Sequence, residues 1–436
     1  MNCFDLIVIG AGPGGYEVAA HQSAHGKKVV IIEKDRLGGT CLNRGCIPTK
    51  CLCATAKMID NINHSSEFGV DVSSFSASYP KAHSRMEEIV DRLREGVTAQ
   101  LGKCQIVNGK ATILPDGGVK VDNDVFYAPQ VIIATGARPA SLPGLENIPT
   151  SDDFLAAETL PESIVIIGGG VIGLEFAYIA SSFSNVTVLE YCKEILPPFD
   201  AEIAKRLRLL LSEKGITFVT QAKVAEIRKE KGSNIVSYID KKDQLQTVTA
   251  TAVYSAVGRR AVLPEGLAEA GIEVDTRGFI VTDDNMQTTR DGFYAVGDCN
   301  GRMMLAHAAT AQAMSVVGVP KNLDVVPSAV FTEPEIAMVG LTTEQCKARG
   351  LDYSVRKSLY RANGKALASG HPEGLVKIIY EPDTEKILGC HIIGAHASDL
   401  IQEATLSIAN GLTLEQMSVR TIHGHPTLSE LLASNN

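Results

Sequence analysis

The first thirty residues fall into blocks. Leu6 to Ile9 are four apolar residues in a row, Gly10 to Gly15 is rich in glycine, and Val29 to Ile32 is apolar again before Glu33. Short apolar runs bounded by glycine predict strands buried on both faces, so this order predicts strand, turn, helix, strand. The order returns further on, in Ile164 to Ile167, Gly168 to Gly173, and Val186 to Leu189 before Glu190. Two more buried strands are predicted within Val131 to Pro139 and Asp291 to Gly301, each running into a glycine turn.

The glycine spacing gives these blocks a chemistry. In Gly10-x-Gly12-x-x-Gly15 the first glycine permits the tight turn, the second lets the backbone approach a pyrophosphate, and the third lets helix pack on strand. Phosphates then meet a helix N-terminus. Glu33, at the end of the second strand, is placed to accept a ribose hydroxyl. Gly168-x-Gly170-x-x-Gly173 with Glu190 repeats the whole unit. One such turn is a weak signal, but two complete units predict an α/β protein with two Rossmann-like dinucleotide-binding domains. Asp298 stands beside Gly297 at a strand's carboxyl end, where ligands bind in open α/β sheets.

Length allows more than these two units, since 436 residues predict two to four domains. A net charge of -9 without a basic run argues against nucleic acid or an anionic membrane as partner. No apolar stretch reaches the ~20 residues of a spanning helix. The start, "MNCFDLIVIGAGPGG", lacks the charged flank, long apolar core and cleavage site of a signal peptide, so the expected location is cytoplasmic. There, most of the ten cysteines are expected to be small buried hydrophobes.

Cys41 and Cys46, in "GGTCLNRGCIPTK", need a separate account. Zinc ligands, a structural staple and an electron-carrying pair are the three readings. Zinc sites favour C-x2-C steps, whereas Cys51-x-Cys53 sets two side chains on different faces of the helix expected for "TKCLCATAKMI". Five residues of ideal helix rise about 7.5 Å, more than disulfide geometry accepts, so a bonded pair requires a bend. Gly45 supplies freedom for it, and Pro48 suits a helix's first turn. Arg44 and Lys50 are candidate cations beside a thiolate.

The series "GAGPGGYE", "GGTCLNRGCIPTK", "ATGARP", "GGGVIGLEFA", "AVGR", "GFYAVGD", "MLAHAA", "FTEPEIAMVG" and "IHGHPTLSE" resembles the pyridine-nucleotide disulfide oxidoreductases, nearest to the branch that oxidises dihydrolipoamide. The resemblance spans nearly the whole chain. It implies a division into an FAD-binding domain at 1–146, an NAD-binding domain at 147–262, a return to the FAD domain at 263–322, and an α+β dimerisation domain at 323–436. It implies a redox-active disulfide, with Cys41 exchanging with substrate and Cys46 against the flavin. His425 is the implied base, in a homodimer that shares each site between subunits, and Glu430 orients it. FAD falls to Gly10, Gly12, Gly15, Glu33, Thr40, Lys50, Thr135, Gly136, Asp298, Ala306 and His307. Lys50 pairs with Glu175. NAD falls to Gly168, Gly170, Gly173, Glu175, Glu190 and Gly258, with Glu190 repelling the 2′-phosphate of NADP. No metal is implied, and His423 is read as structural.

The implied activity is oxidation of dihydrolipoamide, carried on a lipoyl domain of another chain, with NAD as acceptor. One position departs from the pattern: Arg44 stands where the family usually has valine, and is expected to place a cation beside the exchange thiol. It keeps open an NAD(P)H-driven reductase of another small disulfide. A structural subunit of a dehydrogenase complex is the reading outside enzymology.

Overall fold

A computed structural model describes residues 2–433. Its first sheet has five parallel strands in the order Phe293–Ala295, Val131–Ile133, Leu6–Ile9, Val29–Glu33, Gln105–Asn108. Leu6–Ile9 is buried along its whole length, as a central parallel strand covered on both faces must be. Helix α1, Pro13–Ala24, follows it with proline in its first turn. Gly10 has φ +103°, and a Cβ there would lie 2.4 Å from the Ala134 carbonyl oxygen; one on Gly15 would lie 1.9 Å from the Gly10 oxygen. Both positions therefore exclude every side chain.

The second sheet repeats the device. Thr217–Thr220, Asn185–Glu190, Ser163–Ile167 and Ala252–Ser255 run parallel. Here Gly168 has φ +109°, and a Cβ on Gly173 would meet the Gly168 oxygen at 2.0 Å. The chain passes between the two sheets at Ala137–Pro139 and returns at Arg259–Ala261. These two crossings pair with each other as antiparallel strands.

A third sheet, in the order Ser328–Val330, Glu335–Gly340, Ile387–Gly394, Leu375–Tyr380, Ser354–Leu359, is antiparallel and backed by helix Ala397–Ala409. Its strands are rich in buried Ile and Val, each worth about 1.5–3 kcal/mol on leaving water. Lys377 reaches out of it to Asp200, the N-cap of helix Ala201–Glu213, at 3.0 and 2.8 Å from the two carboxylate oxygens. Thr343 also donates to Asp200, at 3.1 Å. A buried charge pair thus joins the third sheet to the second nucleotide unit.

Candidate active site

Short helix α2, Gly39–Arg44, and long helix α3, Cys46–Asn63, meet at Gly45, where φ is −149° and ψ −112°. The bend leaves Cys41 in one helix and makes Cys46 the first residue of the next. A Cβ on Gly45 would lie 2.9 Å from the Thr40 carbonyl oxygen, so the approach of the two helices depends on glycine. Asn43 braces the segment: its amide donates to the carbonyls of Leu37 and Gly39, both at 2.9 Å, and its oxygen accepts from Arg94 Nε at 2.9 Å. The Gly38 N–H donates to Ala11 at 2.8 Å, which lays the cysteine segment on the first glycine turn.

Both thiols are free and partly buried. The hydrogen bond with Cys46, with burial added, pushes the Cys41 thiol up. The same bond, donated by Cys41 and assisted by the Lys50 ammonium against the opposing effect of burial, brings Cys46 down to about 7. Lys50, one helical turn beyond Cys46, has its Nζ 3.0 Å from each oxygen of Glu175. Burial works against the ammonium, but Glu175 more than offsets it and the Lys50 pKa is raised.

Arg44 is placed otherwise than expected. Its guanidinium pairs with Asp35, both side chains being 42% exposed, and it has no part in lowering either thiol. The physical reason is the C-terminal position of Arg44 in α2: its side chain turns to the acidic loop after Glu33. Lys50 is the cation that acts on Cys46.

One cavity of about 2010 Å³ runs past Gly10, Gly12, Glu33, Thr40, Cys41, Cys46 and Lys50, then Thr135 and Gly136, to Gly168, Gly170, Glu175, Glu190 and Gly258. Asp298, Ala306 and His307 also line it. Its volume exceeds the ~300–1,000 Å³ of a single small-molecule site. Gly15 and Gly173 lie beneath it, in the helix–strand contacts described above.

The residues fit two dinucleotides. Both helices that follow the glycine turns start with no side-chain cap and no acid in the first turn, so their N–H groups are left for an anion. Glu33 accepts from Ala11 N at 2.7 Å and Asp35 N at 2.9 Å, and Glu190 accepts in the same way from Gly169 N and Cys192 N. Each carboxylate is therefore a brace for its own glycine turn, with lone pairs to spare for a hydroxyl. Asp298 has its pKa raised by burial, against the opposing charge of Arg259 at 3.8 Å. Ala306 opens helix Ala306–Val316, also without a side-chain cap, and His307 Nε2 lies 2.8 Å from the Pro327 carbonyl. Thr135 Oγ1 donates to Val262 at 2.5 Å, across the paired crossings.

His425 Nδ1 lies 2.9 Å from Glu430 Oε1, and Glu430 Oε2 accepts from Thr427 N at 2.9 Å. The hydrogen bond from His425 holds the Glu430 carboxyl below its usual range. The imidazole is 80% exposed and does not line the cavity of Cys41 and Cys46. His423, two residues earlier, is buried with Nε2 2.6 Å from Glu403. Sequence reasoning missed Asn43 and Phe331 as site residues: Asn43 acts through side-chain bonds to its own turn and to Arg94, and Phe331 through its backbone N–H and ring on Glu175 and Lys50. Among the described residues no cluster of three or more His, Cys, Asp or Glu could hold a metal ion, and no helix is long and apolar enough to cross a membrane.

Residues 4–313 match the family described as pyridine nucleotide-disulphide oxidoreductase, and residues 326–435 match its dimerisation domain. The chain belongs to the pyridine nucleotide-disulphide oxidoreductases. It is 38% identical over 458 residues to a dihydrolipoyl dehydrogenase of Bacillus subtilis, covering 98% of this chain and 96% of that one. To the dihydrolipoyl dehydrogenase of Chlorobaculum parvum it is 39% identical over 448 residues, covering 98% and 95%. Among solved structures, LpdA from Mycobacterium tuberculosis superposes with a TM-score of 0.89 at 26% identity, over 98% of each chain. The Cu(II) complex of the HOCl-induced flavoprotein disulfide reductase RclA from Escherichia coli gives 0.87 at 27%, over 99% of this chain and 98% of that one.

Proposed function

We propose that this chain is a dihydrolipoyl dehydrogenase, oxidising dihydrolipoamide on a carrier domain of another chain. FAD and NAD, when bound in the two nucleotide units, supply the two-electron transfer that regenerates the Cys41–Cys46 disulfide. The proposed division is 1–146 and 263–322 for FAD, 147–262 for NAD, and 323–436 for the dimer interface.

The single observation that carries the reading is the placement of the cysteine pair: Cys41 in α2 and Cys46 opening α3 face each other across the bend at Gly45, one turn before the Lys50 that pairs with Glu175. In the oxidised pair, a substrate thiol gives its proton to His425 and its sulfur bonds to Cys41, while the Cys41–Cys46 bond breaks and its electrons leave on Cys46. Lys50 and the helix N-terminus hold that negative charge. The second substrate thiol then displaces Cys41, which takes up a proton, and the substrate leaves as a disulfide. Glu430 keeps the imidazole in one tautomer and supports its charged form.

The exposure of His425, away from the cavity of its own chain, supports a homodimer in which each subunit supplies the base to its partner's cysteines. NADH formation from dihydrolipoamide and NAD tests the reading, with glutathione disulfide and NADH assayed in reverse beside it. Turnover of glutathione disulfide alone would favour the second reading, a reductase of another small disulfide, which the likeness to RclA supports.

A further inference from the structure

Phe331 touches both members of the Lys50–Glu175 pair. Its backbone N–H donates to Glu175 Oε1 at 3.0 Å, the oxygen that also accepts from Lys50 at 3.0 Å. Its ring faces the Lys50 ammonium, with Nζ 4.5 Å from the ring centroid. Two residues on, Glu333 takes Lys57 at 2.7 Å. Lys50 and Lys57 are seven residues apart in α3 by their numbers, and so lie on one face of that helix. The segment after strand Ser328–Val330, at the edge of the third sheet, therefore holds the cysteine-bearing helix at two points along that face.

The charge balance around Cys46 gives this hold a chemical consequence. Cys41 from α2 and Lys50 from α3 favour the thiolate, and Glu175 from helix Val171–Ser181 disfavours it. The thiol of Cys53, one turn beyond Lys50, is buried and pushed well up, so it adds no negative charge at neutral pH. Lys50 is drawn toward Glu175 by its ion pair, with the Phe331 ring against the ammonium. An aromatic ring against a partly desolvated ammonium attracts it without neutralising it, unlike a second carboxylate.

We propose that Phe331 is a positioning residue of the redox centre, its ring holding the Lys50 ammonium where it sustains the Cys46 thiolate. The proposal rests on the reading of Cys46 as the sulfur beside the flavin. It also gives the interface domain a direct hold on the electrostatics of a helix in another domain. A leucine would keep the backbone N–H to Glu175 and most of the volume, and would lose the π face alone.

The test is a pH titration of the long-wavelength absorption that a Cys46 thiolate gives beside bound flavin in the two-electron-reduced holoenzyme. In Phe331→Leu the midpoint should rise by about half to one unit, while Phe331→Tyr should titrate as wild type. With Lys50→Met as background, the further change Phe331→Leu should shift nothing, since the ring acts through the ammonium. Equal midpoints in wild type and Phe331→Leu, with FAD bound to both, would overturn the proposal and leave the cysteine reading standing. A wild-type protein with bound FAD and no such absorption at any pH would overturn the cysteine reading, and the proposal with it. If Phe331→Leu does not retain FAD, Phe331→Met serves in its place under the same criterion.

Discussion

Lys50 and Glu175 face each other symmetrically, the ammonium 3.0 Å from both carboxylate oxygens, although 125 residues separate them in the chain. Glu175 is 3% exposed. Among the described residues no other cation is in hydrogen-bond contact with it, so the pair stands or falls together. Lys50→Met should leave a buried carboxylate without its partner and Cys46 without its cation. Turnover should fall about 10²-fold or more, as for loss of one electrostatic stabiliser. Stopped-flow reduction by NADH, compared with steady-state turnover, checks whether the loss lies at the cysteines; equal rates in the two proteins would sink the assignment.

Thiolate character at Cys46 predicts the pH response of the reduced enzyme. Its thiol is brought down to about 7, so the thiolate absorption should lose half its amplitude as pH falls to roughly that value. Cys41, which is pushed up, should remain a thiol throughout. Cys41→Ala removes the hydrogen bond that most lowers the Cys46 thiol and should move the midpoint upward. A titration that is flat between pH 5 and 9 contradicts the asymmetry.

Glu190 should govern the choice of nucleotide, but not alone. Because it also braces its glycine turn through Gly169 and Cys192, Glu190→Ala should cost stability as well as affinity. Glu190→Gln removes the charge and keeps one of the two accepting oxygens, so it is the milder change: preference for NAD over NADP should shrink by about 1–3 kcal/mol. Paired KM measurements for the two nucleotides decide it, and a wild type that prefers NADP would reverse the reading of this unit.

The Asp200–Lys377 pair makes a prediction about stability. Burial alone would raise the Asp200 pKa, but Lys377 and His391 more than offset it and hold it below its usual value. A carboxyl depressed on folding stabilises above its unfolded pKa, near 4, and the benefit disappears as pH falls through the folded value. Lys377→Met should cost about 3–5 kcal/mol at pH 7. Adding Asp200→Asn, which keeps a helix cap, should restore part of it. Urea denaturation at pH 7 and pH 3 should show a smaller deficit at the lower pH.

A shared site should reveal itself by complementation. Cys41→Ser and His425→Gln chains, each nearly inactive, form mixed dimers with one doubly altered and one intact site. Random pairing makes half the dimers mixed, so activity should return to about a quarter of wild type. No recovery, with mixed dimers demonstrated, would place cysteine and histidine in one chain.

What could be read from the chain alone follows a physical divide. The glycine turns, their flanking strands and the bend at Gly45 arise from neighbours within thirty residues, where spacing and steric exclusion leave a readable trace. The family resemblance was equally legible, because its motifs recur along the chain in order. Arg44 was expected at the thiols because Cys41 and Cys46 flank it in sequence; Asp35, nine residues earlier, captures it instead, and spacing alone does not show which way a side chain at the end of a short helix turns. Phe331 and the Asp200–Lys377 pair are similarly silent, since each depends on elements brought together from more than a hundred residues apart.

The two crossings at Ala137–Pro139 and Arg259–Ala261 lie side by side as a hydrogen-bonded ladder. Everything between Pro139 and Arg259 therefore leaves and rejoins the rest of the molecule through a single narrow neck. Such a segment is modular: its ends are already adjacent, so a homologous nucleotide unit could be spliced in at these two points without re-routing any other strand. The acceptor specificity of the enzyme is thereby separable from its disulfide chemistry at every point but one: Glu175, the partner of Lys50, travels with the segment, so a chimera exchanged at this neck keeps the cysteine centre only if the incoming unit supplies that carboxylate.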